Sequence, residues 1–330
     1  MMQHGFAIDL ATVRPFGRDL HRPECVVACH DGSVFVPDWR GGVTRILPDG
    51  SQESLLPPEL DWLRPNSLTL EPGGSMVLAH LDDHAGGVFR LWSDGAHEPV
   101  LTEFDGRPLP PTNFVLADGE DLWVTVSTRT VPRYPARRPN CRDGYVLRLR
   151  RGRAELVADH LGFTNEVRID PERRYLYVVE TFARRISRFP LSDSGLGPQE
   201  VFAELGAGHY PDGIAFDVEG ALWVTSIFSN RLLRITPDRH VHLVLDDADP
   251  AFVAGIDGDY ASGRLAQAGH VDVPPRTLGN VSSLAFGGPD LRTLYLGCLV
   301  KSEINVIASP VAGFPMPHWR IEVPAFSGTS

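Results

Sequence analysis

Short apolar stretches recur along the chain in a strand-like alternation, separated by Gly, Pro, Asp and Asn, with little sign of helical spacing. The clearest unit begins with PDGIAFD at 211–217 and passes through Gly220 to LWVT at 222–225. It reads as a strand, a tight turn and a second strand. Weaker copies flank it: Asn113 leads to LWVT at 122–125, Asn165 to LYVV at 176–179, Glu24 to VFV at 34–36, and Asn66 to MVL at 76–78. A further copy runs from VSSLAF at 281–286 to LYL at 294–296. Each copy closes with a third apolar stretch, at 43–47, 88–91, 146–149, 186–189, 232–235 and 304–307. Self-similarity at roughly 40–50 residues with several strands per unit is the mark of a propeller blade. The expected fold is therefore all-β, a six-bladed β-propeller in one domain over residues 1–330, with blades starting near 24, 66, 113, 165, 212 and 281.

Three segments fall outside the repeat. The apolar run from Phe6 to Phe16 is expected to complete the last blade and lock the ring. Residues 246–279 form a long connection with a short helix expected near Arg264 to Ala268, and 319–323 could add an outer strand to either end of the ring. Blade three is interrupted at 127–143 by a loop carrying Arg129, Arg133, Arg137, Arg138 and Arg142.

Antiparallel parity places the chemistry. The residue before each first strand and the loop between the second and third strands belong to the same end of a blade. Glu24, Asn66, Asn113, Asn165 and Asp212 should then converge on one mouth of the channel, beneath the arginine-rich loop. Carboxylates and amide carbonyls are the ligands of a hard cation, and neither Cys nor His stands among them. Two charges balance a divalent ion while the amides add dipoles without repulsion.

Composition narrows the partners. A net charge of −11 argues against nucleic acid but identifies no partner; the small-molecule substrate expected here follows from the candidate site, not from the charge. Four cysteines do not make a disulfide scaffold, and Cys25 and Cys29 on one strand would lie about 13 Å apart, too far to bridge. The opening residues from Met1 to Phe6 lack the pattern of a signal peptide, and no run suggests a membrane span, so a soluble, cytoplasmic protein is expected. Lys301 is the only lysine, which leaves little scope for Schiff-base chemistry.

With these residues in view, the chain resembles the gluconolactonase, regucalcin and luciferin-regenerating enzyme family. Pro23 and Glu24 resemble that family's opening motif, Pro111-Thr112-Asn113 and Thr164-Asn165 its asparagine motifs, Pro211-Asp212-Gly213 its most specific one, and 286–290 its last-blade phrase. The resemblance implies one divalent metal held by Glu24, Asn113, Asn165 and Asp212. Calcium is expected first, with magnesium, manganese or zinc as alternatives, and Asp212 as general base in opening a lactone or related cyclic ester. Asn66 resembles a second-blade motif but is not carried over as a ligand.

Departures from the family pattern bear on the substrate. Pro111 precedes the Asn113 motif, Phe114 follows it, and Glu166 stands where Gly is usual. Phe114, Phe182 and Phe228 are the expected apolar contacts of the substrate, with Phe163 nearby, and His80 and His209 are the expected titratable ones. These point to a more apolar lactone than an aldonolactone. Two rivals keep the fold: a phosphotriesterase- or paraoxonase-like hydrolase, and a propeller that binds a ligand without turnover. The strictosidine-synthase-like propellers share phrases such as Glu180-Thr181 and work without this metal.

Overall fold

A computed structural model describes residues 6–327; the opening residues 1–5 and the last three lie outside it. Among the described residues, six antiparallel blade sheets follow one another in chain order, with a two-stranded ribbon of Glu103–Phe104 and Arg107–Pro108 between the second and third. Their innermost strands are Val27–Ala28, Pro65–Leu70, Thr112–Asp118, Thr164–Ile169, Pro211–Phe216 and Val281–Gly287. Blades two to five each take their strands from consecutive chain, whereas the sixth is closed by Arg14–Phe16, paired with Ile304–Ala308. Residues from both ends of the repeat thus share one sheet, and the ring is fastened by backbone hydrogen bonds.

The turn inside the repeat has a definite chemistry. Asp217 accepts from the backbone N–H groups of Glu219 and Ala221 through Oδ1, while Gly220 takes φ +77°. Its second oxygen accepts from Trp223 Nε1 at 2.9 Å and from Arg234 Nε at 2.8 Å. The Asp–Gly–Trp phrase therefore builds turn, buried ring and charge partner together.

In five blades the ladder slips near the start of the first strand, between Pro65 and Ser67, Thr112 and Phe114, Thr164 and Val167, Pro211 and Ile214, and Val281 and Leu284. A bulge sets an extra residue against its neighbour and re-aims the side chain there. Asn66, Asn113, Asn165 and Asp212 all occupy such positions.

Beyond the repeat, two expectations are corrected. The helix spans Pro250–Ser262 rather than lying near Arg264: Asp249 caps it, Pro250 fits its first turn, and Gly263 ends it at φ +76°. Residues 319–323 add no strand. The tail instead crosses the underside of the ring, where Gly313 bridges Asp217, Trp319 O accepts from His30 N and Ser327 N donates to Ser93 O. Its prolines (Pro310, Pro315, Pro317 and Pro324) remove the donors that a ladder would need. All four cysteines are free and buried, and no helix among the described residues is long and apolar enough to cross a membrane.

Candidate metal centre and cavity

Glu24, Asn113, Asn165 and Asp212 line the floor of one cavity of about 380 Å³ at the mouth of the channel. Each reaches it from a different blade. Asn113 donates through Nδ2 to Ser127 Oγ at 3.1 Å, and Asn165 donates to Thr181 Oγ1 at 3.2 Å. Ser127 and Thr181 each follow the second strand of their own blade, so one device turns both amides. The Asn113 side-chain carbonyl oxygen is left without a donor. Asn66 does not join the floor. Its Nδ2 donates to Glu24 Oε1 at 2.8 Å and to the Asn113 carbonyl at 3.1 Å, bracing two members of the ring.

Gly213 has a packing reason. A Cβ there would stand 2.6 Å from both Ser282 O and Ser283 Cα, so only glycine lets blade five close against blade six beside Asp212.

Two buried acceptors on this floor lack a hydrogen-bond donor: Glu24 Oε2 and Asn113 Oδ1. Arg22 Nη2 stands 2.8 Å from Glu24 Oε2 without the alignment of a hydrogen bond. Asp212 touches Asn165 through an amide contact, and its carboxyl is pushed well above the usual range by burial and then by Glu24 and Glu166. Arg22 and Arg133 pull it back in part. Unsatisfied oxygens and mutually repelling carboxylates are what a hard cation would relieve, so the donor set fits one. Among the described residues no group of three or more His, Cys, Asp and Glu side chains is placed to hold a metal. The floor has two carboxylates and two amides instead.

The other expected site residues separate. Phe182 and Phe228 line the cavity, as does Phe163, edge-on to Phe182 at 4.7 Å between ring centres. Phe114 does not line it. The bulge that turns Asn113 outward restarts the alternation at Phe114, which faces the lower channel with Cys25 and Leu116 under the Arg168 guanidinium at 4.7 Å. His80 also lies away from the cavity: its Nδ1 accepts from Arg64 N at 3.0 Å, and its ring meets Trp62 and Phe89 edge-on. His209 is half-buried outside the cavity among Arg231, Asp246 and Asp257, its pKa lowered chiefly by burial. Residues the sequence reading passed over include Arg22 and Trp39, stacked at 4.1 Å on the cavity wall. A basic residue directly before Pro23-Glu24 was the available signal for Arg22.

Two long segments contribute to the cavity wall. Arg137 of the blade-three loop donates to the Ala268 carbonyl at 3.1 Å, joining that loop to the 246–279 connection. The helix is moored to blades four and five, where Asp257 accepts from Arg184 at 2.7 Å and from Tyr210 OH at 2.9 Å.

Residues 22–246 match the SMP-30/gluconolactonase/LRE-like family model. The chain belongs to this family. A 6-deoxy-6-sulfogluconolactonase of Pseudomonas putida is 29% identical over 167 residues, which is 50% of this chain and 46% of the relative. The chain thus spans about half the length of the curated relatives it matches. Among solved structures, a calcium-binding protein, regucalcin, from Agrobacterium tumefaciens aligns with a TM-score of 0.66 at 17% identity, over 96% of this chain and 97% of that one. A gluconolactonase from Xanthomonas campestris aligns at 0.64 and 18% identity, over 89% and 88%. These likenesses establish the six-bladed propeller.

Proposed function

We propose that this chain is a divalent-cation-dependent hydrolase that opens a lactone in the upper cavity. The observation that carries this reading is the convergence of four oxygen-bearing side chains from four blades on one floor, two of them with buried, undonated oxygens. Family membership and the lactonase among its relatives support it.

Glu24, Asn113, Asn165 and Asp212 would hold the cation, with calcium favoured by oxygen-only ligands and by the regucalcin likeness. When bound, such an ion polarises a carbonyl and makes water more acidic. The chain's own residues do the rest. Asp212, the carboxylate of blade five on the cavity floor, accepts a proton from the attacking water. The water oxygen bonds to the carbonyl carbon, the ring C–O bond breaks, and the proton passes to the departing ring oxygen. The product is a hydroxy acid. Phe163, Phe182 and Phe228 exclude water and hold the ring by one face.

A lactone panel assayed with saturating calcium and again with chelator tests this reading. The expected result is turnover lost with chelator and restored by a divalent ion. Activity indifferent to chelator would remove the cation from the reaction, and absence of turnover on every lactone would remove the hydrolase.

A further inference from the structure

We propose that the cavity is built for a substrate bearing an oxyanion substituent, a carboxylate or sulfonate, received by Arg133 with Arg137 and Arg22 beside it. This rests on the lactonase reading and names the class of substrate for the same site.

Elsewhere in the fold, buried guanidinium groups are matched. Arg185 is paired with Glu180 at 2.8 Å, Arg234 with Asp217 at 2.8 Å and Arg168 with Glu166 at 2.9 Å. Within the blade-three loop, Arg129 turns away to Asp159 at 2.7 Å. Arg133 differs. It is half-buried and lines the cavity, yet among the described residues its guanidinium has no hydrogen-bond or ion-pair partner. Five N–H donors in a rigid fork are left for an incoming acceptor, and a carboxylate or sulfonate can take two of them in parallel. Burial and then the like charges of Arg22 and Arg137 bring Arg133 down to about 10, which still leaves it cationic at neutral pH.

Charge balance agrees. Arg22, Arg133 and Arg137 on the lining are offset by Glu24, Asp83 and Asp212, so a divalent ion on the floor leaves the recess positive by two. An anionic substrate brings the balance back toward zero.

The two walls also give the substrate a direction. Arginines come from the rim of blades one and three, while Phe163, Phe182 and Phe228 come from blades four and five. Phe163 and Phe228 hold φ of +67° and +62°, a region that bulky side chains rarely occupy, and both rings line the cavity. A ring with an apolar face and an anionic arm spans the two walls.

The test compares a carboxymethyl-lactone and a sulfomethyl-lactone with the neutral amide of the first. Wild-type protein should favour both anionic lactones in kcat/KM, with a KM that rises with ionic strength for them alone. Arg133→Gln should reduce that preference by about 10–100-fold, the worth of a charge-assisted hydrogen bond, and Arg133→Lys should restore part of it. Calorimetry with the corresponding carboxymethyl-lactam, which resists hydrolysis, reads binding alone. Equal kcat/KM for charged and neutral lactones overturns the proposal, as does lactam affinity unchanged in Arg133→Gln. If no lactone is opened, the hydrolase reading falls and lactam binding alone decides the role of the arginines. A preference for one anion over the other identifies the arm.

Discussion

Glu166 and Asp212 are both buried carboxylates on the propeller channel, and the fold treats them differently. Glu166 is enclosed: Arg168 pairs with it at 2.9 Å, Ser283 Oγ donates at 2.8 Å and Ile214 N at 3.2 Å. Beneath it the tail seals the channel with Phe314, Met316 and His318, leaving only about 20 Å³. Asp212 has no guanidinium within ion-pair distance among the described residues and opens onto the large cavity. Burial raises the pKa of both, but only Glu166 is drawn back by a partner supplied within its own strand. A buried carboxylate that the fold has neutralised is part of the structure. One left facing a cavity beside a second acid is waiting for something from outside.

The sharpest way to break this contrast is at Asp212. Asp212→Ala should lower kcat/KM for the best lactone by ~10²–10³-fold and weaken calcium binding in the same variant, because it removes the proposed base and half of the floor's negative charge. Kinetics and calorimetry on one preparation check both. Unchanged turnover would return Asp212 to the structural class and shift the chemistry to Glu24.

At Glu166 the expected effect is on stability. Arg168→Met leaves a buried carboxylate without its cation, a defect that typically costs about 3–5 kcal/mol. A clear fall in Tm, with calcium affinity little altered, is the expected outcome. A variant as stable as the parent would show that the pair contributes nothing to the lower channel.

A smaller effect separates the two groups by pH. With its folded pKa raised, Asp212 keeps a proton between the ordinary carboxylate value of ~3.9 and its own, where the unfolded chain has lost it. Cation-free protein should therefore lose stability as pH climbs through that window. Glu166 contributes in the same direction and remains in an Asp212→Asn variant. The variant should show a shallower decline than the parent in thermal melts from about pH 5 to 8, and saturating calcium should flatten the parent's curve. Parallel curves for parent and variant would mean that Asp212 titrates normally.

Much of the architecture was legible because a blade repeats its own grammar: alternation, a Gly turn, then alternation again. Parity placed Glu24, Asn66, Asn113, Asn165 and Asp212 at one mouth, and all of these but Asn66 line the cavity floor. The bulges were not legible, since an extra residue in a ladder leaves no mark in a pattern of apolar positions, and they decide which side chain faces the opening. Asn66 braces because it donates to Glu24, and Arg22 contacts the floor from φ +53°, a backbone detail invisible in the residue order. The helix was misplaced although its signals were present. Asp249, Pro250 and Gly263 mark its ends, while Gly255 and Gly258 within it obscure the helical pattern.

Phe114 gives the last and smallest prediction, because the sequence places it beside Asn113 and the structure turns it away. Its side chain is buried with Cys25 and Leu116, its ring lies under Arg168, and it contributes nothing to the lining of the upper cavity. Phe114→Leu removes part of that packing and a cation–π contact, a loss of about 1–2 kcal/mol that should appear as a modest fall in Tm. The ratio of kcat/KM between an alkyl-substituted lactone and a sugar lactone should stay the same. Phe228→Leu should do the reverse, altering the ratio with a smaller stability change, because that ring faces the opening. Leu retains apolar bulk at both positions, so a difference between the variants reports where each ring points rather than a loss of hydrophobicity. If Phe114→Leu shifts the lactone preference as far as Phe228→Leu does, the lower channel is not sealed from the site, and the division between a filled lower half and a working upper half fails there.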